Sequence, residues 1–221
     1  MRKSSLHAKK QRFSNTGDLV AGVSVEEDRR QKATAGPTYT GTKVPIPIET
    51  ARLILRPWRD SDREPFARMT ADPRVMEFYP SLLTREQSDA FIDRVQANLQ
   101  RDGFTFLAAE IRETGELIGF TGLSIATFPA PFTPCVEVGW RLAAEHWGAG
   151  YATEAGRAAL RFGFDELQLK EIVAFVAVPN IRSRRVAEKL GMTRDPADDF
   201  EYPLIAEGHP LRPHVLYRAR P

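Results

Sequence analysis

The sequence is poor in the residue types that mark several classes of protein. Cys135 is its single cysteine, so no intramolecular disulfide and no multi-cysteine metal cage can form. Its longest apolar runs, such as 172–178, fall far short of the roughly 20 residues that cross a bilayer. His209 and His214 lack the i, i+4 spacing of a helical metal pair. We therefore expect a cytoplasmic protein with no membrane span and no metal.

Two nucleotide-binding fingerprints are also missing. Neither GxGxxG nor GxxxxGK[ST] occurs, which disfavours hydride transfer and nucleotide hydrolysis. The composition, 42% hydrophobic and 27% charged over 221 residues, is typical of one compact domain with some excess chain.

The excess chain is expected at the N-terminus. Residues 1–48 hold nine Lys or Arg against four Asp or Glu, a net of +5, whereas the whole chain carries +2. Up to about Pro47 there is no sustained hydrophobic periodicity, which predicts a disordered basic extension over 1–47 and a folded domain over 48–221. The extension lacks aromatics packed for base stacking and a dense basic run, so nucleic-acid binding is the weakest of its interpretations.

Hydrophobic periodicity predicts the element order β, α, α, β, β, β, α, β, α. Thr84 and Gln87 form a capping box ahead of the second helix. The strands are expected at 52–56, 104–111, 117–125, 135–142 and 172–178, the helices at 60–69, 84–99, 151–167 and 181–190, and two more strands at 200–202 and 215–218.

A glycine turn between a strand and a helix carries the strongest chemical signal. Gly148-Ala149-Gly150 follows the strand 135–142 and leads directly into the helix that begins near Tyr151. Glycines there permit a tight turn and expose N–H groups at a helix start, where anions bind. Taken alone, such a pair is more often a simple turn.

Four segments in order resemble the GNAT superfamily of N-acetyltransferases. VEVGWRLAAEHWGAGYATEA (136–155) resembles its motif A, and PNIRSRRVAEKLGM (179–192), ETARLILRPW (49–58) and LIGFTGL (117–123) resemble the branch of ribosomal-protein N-terminal acetyltransferases. The resemblance covers about 170 residues. It implies an α/β fold with a mixed, largely antiparallel sheet, helices on both faces, and fourth and fifth strands that splay apart to admit acetyl-CoA.

The resemblance also assigns roles to residues. It implies that acetyl-CoA contacts Leu142, Gly148, Ala149, Gly150, Tyr151, Ala152, Thr153 and Asn180. Ser183 would donate to the departing thiolate and Glu137 is the candidate base, although Asn180 and Ser183 also suit helix caps and Glu137 a surface strand. Two departures stand out: Glu145 replaces a usual Gln or Arg, and Ala187 stands near the place of a usual tyrosine acid.

The acceptor is expected to be a primary amine held near 76–80 and 201–213. Glu77, Glu201 and Glu207 are candidates to attract the amine, and Phe78 and Tyr79 are candidates to wall it. Taken residue by residue, plain loop acids and core aromatics explain them somewhat better. Deprotonation at pH 7 costs about 4.6 kcal/mol for a lysine and about 1 kcal/mol for an α-amine, which favours a protein N-terminus. A small amine such as an aminoglycoside or polyamine, and a non-catalytic CoA-binding sensor, remain as alternatives, and a homodimer is left open.

Overall fold

The structure is a computed structural model that describes residues 46–221. The predicted extension, apart from its last two residues, lies outside this described part. The strands are β1 (Ile48–Glu49), β2 (Leu53–Arg56), β3 (Phe106–Ile111), β4 (Leu117–Ala126), β5 (Cys135–Leu142), β6 (Ile172–Ala177), β7 (Thr193–Arg194), β8 (Phe200–Glu201) and β9 (Pro213–Ala219). The helices are α1 (Arg63–Thr70), α2 (Arg85–Asp102), α3 (Tyr151–Asp165) and α4 (Ile181–Lys189).

The strands form one mixed sheet in the order β1-β2-β3-β4-β5-β6-β9-β7, with β8 also paired to β9. Neighbouring strands are antiparallel except for β5 and β6, which run parallel. The predicted fold class is therefore confirmed. Because the short β1 precedes the first predicted strand, the predicted fourth and fifth strands are β5 and β6.

Alternating side chains on β3 show how helices cover both faces of the sheet. Phe106 and Ala108 pack with α1 and α2 in a cluster that includes Phe66 and Phe91. Leu107 and Ala109 point to the opposite face and pack with residues of α3. A strand buried on both faces needs apolar residues at every position, as its sequence FLAA provides.

Local sequence signals explain where α2 begins and ends. The Thr84 hydroxyl accepts from the Gln87 N–H at 3.2 Å, and the Gln87 side chain accepts from the Thr84 N–H at 2.9 Å, so the predicted capping box is confirmed. Gly103 ends the helix with φ of +81°, which glycine adopts without a steric penalty. Within residues 46–221, no helix combines the length and apolarity needed to span a membrane.

The parallel strands β5 and β6 separate soon after they meet. Their register consists of the single pair Glu137 with Val173. Beyond it, residues 138–141 of β5 and 174–177 of β6 line the two sides of one cleft. The opening between these strands is where the candidate site lies.

Candidate active site

The glycine turn has the backbone geometry that its sequence predicts. Gly148 and Gly150 have φ of +78° and +85°, in the left-handed region that favours glycine. Gly150 is also the N-cap of α3, and no side chain caps this helix start. The first-turn N–H groups of α3 are therefore not taken by a capping side chain and face an anion-binding position.

Arg52 ties this turn to the edge of the sheet. Its Nη1 donates to the Ala149 carbonyl at 3.0 Å, and its Nε pairs with Glu154 on α3 at 2.7 Å. Its guanidinium also lies 4.4 Å from the centre of the Tyr151 ring. The Thr50 hydroxyl donates to the same Glu154 carboxylate at 2.7 Å. These contacts hold the glycine turn against the connection between β1 and β2, and the sequence alone does not predict them.

One end of the cleft, which we name the glycine-turn end, is lined by cationic side chains. Leu142, Gly148, Gly150, Tyr151, Ala152, Thr153 and Asn180 line it together with Arg74, Arg141, Arg182, Arg185 and Lys189. Among the described residues that line this end, none is Asp or Glu. Cations beside a helix N-terminus fit the phosphates of a CoA molecule. Of the predicted cofactor residues, Ala149 is not in the lining, and its carbonyl accepts the hydrogen bond from Arg52.

Glu145, the residue that departs from the superfamily pattern, faces a positive partner. Arg74 Nη2 lies 2.6 Å from Glu145 Oε1 and 2.6 Å from Asp72 Oδ2. Arg74 lowers the pKa of the Glu145 carboxyl, second to the carboxyl's own backbone hydrogen bond. Arg74 thus places a positive charge at the rim of the glycine-turn end, beside the Glu145 carboxylate.

The other end of the cleft, which we name the Glu137 end, is lined mainly by uncharged side chains. Glu137 lines it with 7% of its surface exposed, and burial raises the pKa of its carboxyl to about 8. Tyr79, Phe175, Tyr202 and Ile205 form much of the surrounding wall. A carboxyl with a pKa near the operating pH is suited to accept a proton.

Asn180 and Ser183 lie where the two ends meet, because both residues line both ends. Asn180 is the N-cap of α4: its Oδ1 accepts from the Ser183 backbone N–H at 3.1 Å. The Ser183 hydroxyl is not used in that bond. Ala187 is fully buried in the core, so the position near the superfamily's usual tyrosine faces inward.

The predicted acceptor contacts divide into two groups. Phe78 and Tyr79 line both ends of the cleft. Glu77 lines neither, and its carboxylate pairs with Arg182 at 2.5 Å. In the second predicted segment, Glu201 pairs with Arg212 at 3.1 Å.

From its sequence spacing, His214 is of interest only as a metal ligand, but the structure places it in the cleft. It lines the Glu137 end, and burial lowers the pKa of its imidazole to about 4. Because a carbonyl only accepts, Nδ1 donates its hydrogen to the Arg212 carbonyl at 3.0 Å. The ring is therefore neutral at pH 7. Side chains of β9 alternate between the two faces of the sheet, and β9 pairs with β6. Had that pairing been known, the alternation would have placed His214 on the face that borders the cleft.

Neither a thiol nucleophile nor a metal cluster appears near the cleft. Burial, the largest cause, raises the pKa of the Cys135 thiol to about 12, which leaves it protonated and unreactive. In the described part of the chain, no three His, Cys, Asp or Glu side chains are grouped to hold a metal ion.

Comparison with known proteins identifies the family. A family model described as an acetyltransferase (GNAT) domain matches residues 52–193. The chain belongs to the GNAT acetyltransferase family. GNAT enzymes are acyltransferases that use acetyl-CoA, so this chain is an acyltransferase. YkkB of Bacillus subtilis is 37% identical over 66% of this chain and 84% of its own length, and the N-acetyltransferase YnaD of the same organism is 30% identical over 67% and 83%.

Solved GNAT structures share the fold. An acetyltransferase from Agrobacterium tumefaciens is 32% identical, with a TM-score of 0.62 over 78% of this chain and 93% of its own. Mycobacterium smegmatis RimJ, in complex with CoA-disulfide, has a TM-score of 0.63 at 22% identity over 76% and 81%. The ribosomal-protein-S5-alanine acetyltransferase of Vibrio fischeri has a TM-score of 0.63 at 19% identity over 80% and 97%. At these identities the last two establish the fold alone.

Proposed function

We propose that this GNAT enzyme transfers an acetyl group from acetyl-CoA to the α-amine of a protein or peptide. The supporting observation is the continuity of the cleft. Phe78, Tyr79, Trp140, Arg141, Asn180 and Ser183 line both of its ends. A cationic, phosphate-compatible end therefore shares its wall with an end of mainly uncharged side chains that holds one buried carboxyl.

The glycine-turn end fits acetyl-CoA on three counts. The α3 start presents uncapped N–H groups, the nearby side chains are cationic, and Gly148 has open space, since a Cβ there would meet no atom within 4 Å. When bound, acetyl-CoA supplies an activated acyl carbon. Residues 148–153 would hold its phosphates, and Leu142 and Asn180 would contact the arm that leads to the thioester.

Glu137 and the neighbouring Ser183 hydroxyl would handle the proton and the leaving sulfur of the reaction. The amine nitrogen forms a bond to the acetyl carbon, the carbon–sulfur bond breaks, and the sulfur leaves with the bonding electrons. Glu137 takes a proton from the nitrogen, directly or through water, and the Ser183 hydroxyl donates a hydrogen bond to the sulfur. A base positioned in this way is typically worth about 10² to 10⁴-fold in rate.

An α-amine suits this site better than a lysine side chain. The difference in deprotonation cost at pH 7 is about 3.6 kcal/mol. Glu137, with a pKa of about 8, matches an α-amine of pKa about 7.8 more closely than a lysine of about 10.4. The resemblance of the sequence motifs to N-terminal acetyltransferases supports the same acceptor.

A peptide that carries both amines tests the proposal. We expect acetyl-CoA to label its N-terminus faster than its lysine at pH 7, as read by mass spectrometry. Labelling mainly at lysine, or only of polyamines or aminoglycosides, would leave an acetyltransferase but contradict the N-terminal acceptor. Binding of CoA without turnover of any amine would instead favour a sensor.

A further inference from the structure

The Glu137 end of the cleft has little capacity for charge. Among the described residues that line it, Glu137 is the single carboxyl and His214 the single histidine. Burial keeps the imidazole neutral and leaves the carboxyl mostly protonated at pH 7. The lining cation Arg141 lies against aromatic rings, 3.9 Å from the centre of Tyr79 and 5.4 Å from that of Phe120.

Two acids of the predicted acceptor segments, Glu77 and Glu201, are engaged elsewhere. Glu77 pairs with Arg182 and Glu201 pairs with Arg212, and neither carboxylate lines the Glu137 end. A second or third ammonium entering this end would therefore lose its hydration without gaining a carboxylate partner. Burying an unpaired charge in this way is unfavourable.

Aromatic and aliphatic side chains make up the wall beside Glu137. Phe175 and Tyr202 stack with ring centres 5.6 Å apart, and Tyr202 also lies 4.9 Å from the His214 ring. Ile205 is 5% exposed and belongs to the same apolar cluster. This wall offers contact area to an uncharged group next to the reacting nitrogen.

We propose that the Glu137 end selects a single amine flanked by an uncharged, apolar side chain, with Phe175, Tyr202 and Ile205 as the residues that set this specificity. The inference rests on the proposed function for the identity of the acceptor end. The single carboxyl can take the proton of one amine, and the wall contacts the first side chain. Polyamines, aminoglycosides and peptides that begin with a charged residue are poor acceptors.

The test measures binding and turnover separately on the full chain. Binding of Leu-Gly-Gly amide, Lys-Gly-Gly amide, Asp-Gly-Gly amide and spermidine is measured by calorimetry with the enzyme saturated by CoA, which carries no acetyl group. Turnover of the same amines with acetyl-CoA is followed by thiol release. We expect the leucine peptide to exceed each of the others by about tenfold or more in both measurements, the scale of discrimination that apolar pockets provide.

A pair of variants relates the preference to the wall. Ile205→Glu places a second carboxyl there and should improve binding of the lysine peptide and spermidine, whereas the matched Ile205→Gln should weaken the leucine peptide without that gain. If the glutamate variant does not fold, the four ligands on the unaltered enzyme still decide. Equal or tighter binding of the lysine peptide or spermidine, or no binding by any ligand, overturns the inference. Leucine-peptide binding without acetylation sustains it and contradicts the proposed function instead.

Discussion

Glu137 pairs with Val173 at the point where β5 and β6 part, so its carboxyl lies at the inner edge of the cleft. The strand pairing buries the backbone around it, and the apolar wall removes water from the side chain. Burial is the one cause of the raised pKa. The same opening between strands that would admit the cofactor thus also creates the base.

Replacing Glu137 with Gln should remove one ionisation from the pH dependence of the rate. With an acceptor whose amine is already neutral at pH 6, we expect the rate of the unaltered enzyme to rise about tenfold per pH unit up to about pH 8, where the Glu137 carboxyl titrates. The Glu137→Gln profile should be flat and about 10² to 10⁴-fold lower. Stopped-flow thiol release measures both. An unchanged profile in the variant would assign the base elsewhere, with His214 next to be tested.

The same substitution should stabilise the fold at neutral and alkaline pH. The folded carboxyl keeps its proton up to about pH 8, whereas its ordinary pKa is 4.5, so the unfolded state binds fewer protons between these values. The free energy of unfolding therefore falls as pH rises from about 4.5 to about 8. Glu137→Gln should remove roughly 3 to 5 kcal/mol of this decline. Urea unfolding of both proteins at pH 5 and pH 8 measures it, and parallel pH curves would show that Glu137 is not desolvated.

The sequence predicted the elements of the fold and most of the candidate residues that line the cleft, because their signals are local. Gly148 and Gly150 stand at the start of a predicted helix, and Glu137 lies within a predicted strand. The sequence does not predict the contacts of Arg74 and Arg52, because each binds a partner far along the chain. Arg74 is 71 residues from Glu145, and Arg52 is 97 residues from Ala149. The strands β1 and β7, two residues each, are too short for any periodicity.

Gly150 offers a test of the anion site that separates charge from strain. Its φ of +85° strains any side chain, but Asn tolerates this region better than most residues and matches Asp in size. Gly150→Asp should weaken CoA binding by about tenfold or more beyond Gly150→Asn, because a carboxylate at the α3 start repels phosphates. Calorimetry on the folded variants measures this. Equal affinities in the two would remove phosphate binding from this turn.

Arg74 should strengthen CoA binding, and Glu145 should weaken it. We expect Arg74→Ala to weaken CoA affinity several-fold, Glu145→Gln to strengthen it, and the double variant to lie between them, since Arg74 offsets the Glu145 carboxylate at the rim. Both side chains are more than half exposed, so the differences should shrink in high salt. Arg101→Ala, which lines neither end of the cleft, is the control. Loss of affinity on removing Glu145 would contradict this arrangement.

Ser183 provides the last prediction, because its two possible roles use different atoms. Its backbone N–H donates to Asn180 Oδ1 at 3.1 Å, so Ser183→Ala keeps the α4 cap and removes only the hydroxyl. If the hydroxyl donates to the departing sulfur, it acts in the transition state more than in the bound complex. We then expect kcat to fall by about tenfold or more while the KM for acetyl-CoA changes little.

Asn180→Ala is the counterpart: it removes the cap and should cost about 0.5 to 2 kcal/mol of stability, read by thermal unfolding. Equal kcat in Ser183→Ala and the unaltered enzyme would leave Ser183 with no part in the reaction, and a fall in stability matching that of Asn180→Ala would show that the hydroxyl serves the helix.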